Sequence, residues 1–438
     1  MRKFRSLHVS VLVVATLAGG ATMAHAANMI VMFRPEVVPA AKAAQYGIHP
    51  SQVFSNGFSG FAADLSSKQQ EKLRSDPDVA MIRPDRVRVY TPDSVRHLTS
   101  GATPSLFSST SVRSLSGSTP VERIAQVTTR AMRRVGILES PTAAVNGVGG
   151  NANVDVAVID TGIQLDHPDL NVVGGVNCSS GVGWADVEGH GTMVAGIIGA
   201  KDNAFGVVGA APGARLWSIR AFDENNEADD SSILCAINWI TDHADVIDVA
   251  NMSFAGPGQS DGDCGKEAGD VIHYALCQSI RSGVTYIAAA GNDAADVSST
   301  VPASYPEVIS VSGLVDSDGA TGGLGPSDPC IGLADDTFAP FSNFGRSITI
   351  AASSVCVSTT YVNSDVAVDS GTSFASPAVA GAAALWLTSP SAKTVLAKKS
   401  RSDYPRLVRK ALLDNRERTR MPGDPDRVSE GILNIRGI

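Results

Sequence analysis

From Asn153 onward the chain alternates continuous apolar runs with stretches of helical period, and that alternation leaves few folds open. The runs VDVAVID, ARLWSIRAF, VIDVANMSF, VTYIAAAG, EVISVSGL and SITIAA read as strands. GTMVAGIIGA, SSILCAINWITDH, AGDVIHYALCQSIRSG, SFASPAVAGAAALWLT and DYPRLVRKALLDN read as the helices that accompany them. Strands that are apolar throughout, not only at every second residue, are buried on both faces. The expected fold is therefore α/β, a mainly parallel sheet with helices on both faces. Ligands of such sheets bind beyond the carboxyl ends of the strands. Asp160 follows VAVI, Ser253 and Phe254 follow VIDVANM, and Asn292 follows VTYIAAAG, so three strand ends deliver polar groups to one rim.

A different pattern precedes this region. NMIVMFRP, GFSGFAADL and VAMIRPDRVRVY read as strands and SSKQQEKLRSDPD as a short helix, which makes 28–90 a small α+β, ferredoxin-like unit. Residues 91–119 are rich in Ser, Thr and Gly with few apolar side chains, and read as a linker. At the start, Arg2, Lys3 and Arg5 precede an apolar run from Val9 to Ala18, and Ala24-His25-Ala26 follows it, the pattern of a secretory signal over 1–26. The run is too short to span a bilayer, so a secreted chain with no membrane partner is expected. A net charge of −9 argues against nucleic acid as a partner, since phosphate contacts need a dense basic surface. All six cysteines lie at or beyond Cys178. Export makes disulfides plausible, the sequence leaves their pairing open, and the lack of any Cys-x-x-Cys unit argues against zinc.

Three short motifs carry chemistry. VAVIDTG ends an apolar run on Asp160, GHGTMVAG surrounds His190, and GTSFASP surrounds Ser373. A serine hydroxyl is a weak nucleophile at neutral pH and needs a base within reach and a carboxylate to fix that base's tautomer. Glycines beside His190 and before Ser373 suit tight turns into helices, and a helix N-terminus favours developing negative charge. Asn292 in AAAGND is a candidate donor to an oxyanion, although in isolation an asparagine there reads better as the cap of a turn.

The chain order Asp, His, Ser resembles that of the subtilisin-like serine proteases. That resemblance implies a subtilisin-like catalytic domain over 120–438, with Asp160, His190 and Ser373 as triad and Asn292 joining the backbone N–H of Ser373 as oxyanion donors. GFSGFAADL and the closing VAMIRPDRVRV resemble the family's inhibitory propeptide, which implies a self-processed zymogen whose own propeptide blocks the cleft. The matching substrate-pairing segments are Asn226-Glu227-Ala228 and Ser253-Phe254-Ala255, the second carrying alanine where the family usually has glycine. An acidic stretch from Asp223 to Asp230 suggests some preference for basic residues upstream of the cleaved bond, although it could equally be a solvated loop.

Asp169 and the loop KDNAFGVVG resemble the family's main calcium site. The resemblance implies side-chain ligands from Asp169 and Asn203 and carbonyl ligands from Lys201, Phe205 and Val207. Protein or peptide substrates and a monomeric state are expected. Esterase or transferase chemistry on the same acyl-enzyme, and an inactive relative acting as a scaffold, are the alternatives.

Overall fold

The computed structural model describes residues 27–55, 57–85, 87–88, 125–150, 152–426 and 428–438. The expected signal segment 1–26 and linker 91–119 lie outside the described residues.

The first unit consists of β1 (Ala27–Phe33), α1 (Pro39–Gln45), β2 (Gln52–Phe54), β3 (Ser59–Leu65), α2 (Ser67–Arg74) and β4 (Val79–Pro84), an antiparallel sheet ordered β2-β3-β1-β4. Helix α2 starts where the sequence places it because Ser66 and Gln69 form a reciprocal capping box. The short α1 was not expected, since it has no strong apolar period.

Strand β1 is apolar on both faces. Met29, Val31 and Phe33 join Phe61, Ala63, Leu73 and Ile82 in the unit's own core. Ile30 and Met32, with Phe54, Phe58 and Ala62, belong instead to a core shared with the second unit. Successive strand residues point to opposite faces, so a sequence apolar at every position is the signature of a sheet covered twice.

A short strand β5 (Val87–Arg88) leads out of this unit. The second unit begins with α3 (Arg130–Val135), β6 (Asp155–Asp160), β7 (Val172–Asn177), α4 (His190–Gly199), β8 (Arg215–Arg220), β9 (Ala228–Asp229) and α5 (Asp230–Asp242). It continues through β10 (Val249–Met252), β11 (Gly256–Pro257), α6 (Val271–Arg281), β12 (Thr285–Ala289), β13 (Thr300–Val301), β14 (Ile309–Val315), β15 (Thr337–Phe338) and β16 (Ile350–Ser353). A hairpin of β17 (Val357–Tyr361) and β18 (Asp365–Asp369) and three helices, α7 (Thr372–Thr388), α8 (Pro390–Leu396) and α9 (Tyr404–Asn415), complete it.

The main sheet runs β15-β14-β12-β10-β6-β8-β7 with β16 also on β14, and every pairing except β14–β15 is parallel. Val156, Val158, Val249, Ile287 and Val311 face α4 and α7. Ala157, Ile159, Ala250, Met252 and Ala288 face α5 and α6. The α/β architecture with helices on both faces is thus as expected.

Strand β7 was missed because glycine inside a strand reads as a breaker. Here the glycines make room: a Cβ on Gly174 would lie 2.5 Å from the Trp217 ring, and one on Gly175 would lie 2.1 Å from the Ser218 carbonyl oxygen. Close approach also explains why α7 is so rich in small residues, since a Cβ on Gly381 would come within 2.7 Å of Ala210.

The disulfides pair Cys178 with Cys235, Cys264 with Cys277 and Cys330 with Cys356. The first ties the end of β7 to α5, and the second fastens the segment between β11 and α6 to α6 itself.

Candidate active site

Asp160 is the last residue of β6 and His190 the first of α4, so the sheet and a helix meet at this pair. His190 Nδ1 lies 2.8 Å from Asp160 Oδ1, and that oxygen also accepts the Thr161 N–H at 2.8 Å. Both side chains are buried. Burial alone disfavours the imidazolium, but the charge and hydrogen bond of Asp160 outweigh it and hold the pKa of His190 above its ordinary value.

The glycines around His190 are there for space. A Cβ on Gly191 would lie 2.0 Å from the Gly162 carbonyl oxygen, and one on Gly189, at φ 119°, would lie 2.4 Å from the Tyr361 ring. With a side chain at 191, α4 could not approach the end of β6 closely enough for the Asp160 contact, and one at 189 would push away Tyr361 at the end of β17.

Asp186 was not singled out from sequence, yet it organises this corner. Its Oδ1 accepts the Gly189 and Glu188 N–H groups at 2.8 and 3.0 Å and the Thr161 hydroxyl at 2.9 Å. Its Oδ2 accepts the Thr192 N–H at 2.9 Å. Thr161 Oγ1 in turn accepts the Gly191 N–H at 3.0 Å and Glu188 Oε2 accepts the His190 N–H at 3.0 Å, so Asp186, directly and through Thr161, shares with Glu188 the first-turn donors of the helix that carries His190. An aspartate shortly before a helix start is the signal that could have found it.

Ser373 is the second residue of α7, which Gly371 opens at φ 154°. Its hydroxyl donates to the Ser253 carbonyl oxygen at 3.0 Å, and the Ser253 hydroxyl donates back to the Ser373 carbonyl oxygen at 2.7 Å. The expected bond from Ser373 to His190 is therefore not made in this state, and His190 Nε2 is buried with no partner among the described residues. The two motifs nonetheless meet, because the His190 ring packs 5.5 Å from the ring of Phe374, the neighbour of Ser373. Asn292 is brought to the same place: its Oδ1 accepts the Thr372 N–H at 2.9 Å, while the Gly291 N–H donates to Thr372 Oγ1 at 3.1 Å.

Of the segments expected to pair with substrate, Ala228 with Asp229 pairs antiparallel to Arg88 and Val87, so the end of the first unit lies along the rim as an added strand. Asn226 and Glu227 close a turn on Asp223, whose Oδ1 accepts the Glu227 N–H at 2.9 Å. In the second segment Ser253 is tied to Ser373, and the side chain of Phe254 is buried against Phe222 at 5.3 Å. Phe254 therefore presents only its backbone to a ligand. Ala255 is half-buried beside Gly291, where a Cβ would meet the methyl of Ala255 at 3.4 Å.

The Asp169 loop is compact. Asp169 is fully buried, accepts the Asn203 side-chain N–H at 3.1 Å and the Val207 N–H at 3.0 Å, and is pushed up to about 6 by burial. The Phe205 N–H donates to Asn203 Oδ1 at 2.9 Å, and the Lys201 ammonium donates to the Pro168 carbonyl at 3.0 Å. Gln126, absent from the sequence expectation, joins the loop by accepting the Asn203 N–H at 2.7 Å.

Comparison with known proteins finds relatives of both units. A sequence profile described as the Subtilase family matches residues 151–427, and one described as Peptidase inhibitor I9 matches residues 23–90. Subtilisin DY of Bacillus licheniformis is 38% identical over 241 residues, 54% of this chain and 77% of that protein. Subtilisin NAT of Bacillus subtilis subsp. natto is 32% identical over 333 residues, 75% of this chain and 70% of that protein. Among solved structures, a cold adapted subtilisin-like serine proteinase superposes with a TM-score of 0.50 at 26% identity, covering 64% of this chain and 88% of that one.

Proposed function

The chain belongs to the subtilase family and is a serine endopeptidase, and we propose that Ser373 is its nucleophile, His190 its general base, Asp160 the carboxylate that orients His190, and Asn292 an oxyanion donor. The observation that carries this assignment is the buried Asp160–His190 pair, held at 2.8 Å with the far ring nitrogen left without a partner beside the Ser373 helix. That nitrogen is the atom that would take the serine proton.

Because Asp160 engages Nδ1, the proton of a neutral ring sits there and Nε2 is the acceptor. A turn of Ser373 about χ1, away from the Ser253 carbonyl, gives Nε2 its donor. The hydroxyl then attacks the scissile carbonyl carbon, its proton passes to Nε2, and Asp160 stabilises the imidazolium. The tetrahedral oxyanion accepts from the Ser373 N–H and from the side-chain N–H of Asn292, whose other end is fixed by Thr372. Collapse expels the amine with the proton from His190, and water repeats the sequence to release the acyl group.

The first unit serves as an inhibitory propeptide over 28–90, and β5 lies on β9 as an occupying strand would. Substrate peptides pair with Ala228 and with the backbone of Ser253, Phe254 and Ala255. Cleavage within 91–119 separates the propeptide, residues 1–26 direct export, and 120–438 is the catalytic domain.

Calcium fits the Asp169 loop by the chemistry of its donors: a buried carboxylate that meets only neutral N–H donors by hydrogen bond, an amide at Asn203, and the carbonyls of Lys201, Phe205 and Val207. When bound, the ion neutralises Asp169 and cross-links the loop, and no catalytic step passes through it. Purified wild type and Ser373→Ala, followed by mass over time, test the reading. Self-shortening and peptide hydrolysis in the wild type alone are expected; identical intact chains with no hydrolysis would overturn it in favour of a scaffold.

A further inference from the structure

At the carboxyl end of β14 the chain enters the loop 316–336 and returns as β15. The ends of that loop bring together Asp316, Asp335 and Asp336, each offering a carboxylate oxygen, all three within 4.8 Å of one another. That separation is about twice a calcium–oxygen distance of roughly 2.4 Å, so one ion placed among them could reach all three.

The hydrogen bonds leave this cluster short of positive charge. Asp316 is 1% exposed, its Oδ1 accepts the Gly319 N–H at 2.9 Å, and its Oδ2 accepts nothing from the described residues. Asp335 accepts only neutral donors, the Ser317 N–H and hydroxyl at 2.8 and 3.1 Å and the Gly325 N–H at 3.0 Å. Asp336 alone has a cation, Arg134 Nε at 2.9 Å, and Arg134 divides itself between Asp336 and Glu417. Arg130 is spent on the Ser317 carbonyl, Asp328 and the Cys356 carbonyl. Among the described residues, no ion pair includes Asp316 or Asp335.

A buried carboxylate without a counter-charge is costly and tends to hold a proton instead. The loop also folds tightly around the acids: Gly319, Gly322 and Gly323 have φ of 76°, 119° and 65°, and a Cβ on Gly325 would stand 2.8 Å from Asp335 Oδ2. With Cys330 and Cys356 joined in a disulfide, the available ligands are all oxygens, which selects a hard cation.

We propose that Asp316, Asp335 and Asp336 hold a calcium ion that pins the 316–336 loop to the end of β14, at a site separate from the Asp169 loop. Through Asp336 and Arg134 the same ion would brace α3, the first helix of the catalytic domain.

The test uses full-length Ser373→Ala protein, stripped with chelator and titrated with calcium by calorimetry, beside Asp316→Asn and Asp335→Asn made in that background. Each variant is expected to bind one calcium fewer than its parent, whether or not Asp169→Asn removes another ion. Folded variants that bind as many ions as the parent would overturn the site and leave Asp316 a protonated acid. Should both variants fail to fold, parent crystals soaked in terbium decide: an anomalous peak among the three carboxylates supports the site, and its absence overturns it.

Discussion

Asp85 of the propeptide and Asp229 of the catalytic domain share the N-terminus of one helix. Asp85 Oδ1 accepts the Ser231 N–H at 3.1 Å, and Asp229 Oδ1 accepts the Ser232 N–H at 2.6 Å. Both satisfy orphan donors of α5, but each carboxylate repels the other. Burial, then the charge of Asp229, raises Asp85 to about 6.

A pH dependence of inhibition follows. Docking raises the pKa of Asp85, so the docked state binds the proton more tightly than the free propeptide does. Asp85 therefore favours docking most below its ordinary range near 4, and that advantage is lost as pH rises through about 6. Added in trans to the mature enzyme, the propeptide should inhibit more tightly at pH 5 than at pH 7.5. Asp85→Asn should flatten the difference and tighten inhibition at the higher pH. An inhibition constant for Asp85→Asn that falls with acid as steeply as that of wild type would remove this assignment.

The pH profile of the mature enzyme should show an acid limb set by His190. The base must be neutral to take the serine proton, and Asp160 raises its pKa. Activity should therefore fall as pH drops through a midpoint above the ordinary histidine value of about 6.5. Asp160→Asn should cost about 10⁴ in kcat, the scale expected when the orienting carboxylate is lost. A midpoint unmoved in Asp160→Asn would separate the two residues.

Replacing Asn292 tests the oxyanion donor. Asn292→Ala should lower kcat by about 10² to 10³ with little change in KM, because the interaction forms only as charge develops. A rise in KM at constant kcat would make Asn292 a ground-state contact instead.

Asp186 is a positioning residue, since it acts on His190 through the backbone of the first turn of α4. Asp186→Ala should lower both Tm and kcat, while Asp186→Asn, which keeps the acceptor oxygens in part, should recover more of kcat than of Tm. Equal recovery of both would reduce Asp186 to a structural cap.

Chelator should lower the Tm of the mature enzyme, and Asp169→Asn should lose a share of that sensitivity. A chelator response identical in wild type and Asp169→Asn would place no ion at Asp169.

Much of this protein was open to reading along the chain. The alternation of apolar strands and helices predicts the main sheet, since burial on two faces writes itself into consecutive residues such as VAVI before Asp160. The glycines before His190 and Ser373 mark the tight turns into α4 and α7, at φ 119° and 154°, which is likewise a local property of the chain. What escaped were relations between segments with no covalent nearness: the disulfide partners, the β7 edge held open for Trp217, and Asp186 beneath His190. The propeptide's second apolar face, Ile30 and Met32, could be seen but not assigned an occupant until packing joined it to the core that α5 and α6 also line. Only the folded chain turned the Ser373 hydroxyl toward Ser253 and gathered Asp316, Asp335 and Asp336 around one point. Side-chain period and turn chemistry are properties of neighbours along the chain, whereas hydrogen-bond partners and uncompensated charge are properties of neighbours in space, which only packing decides.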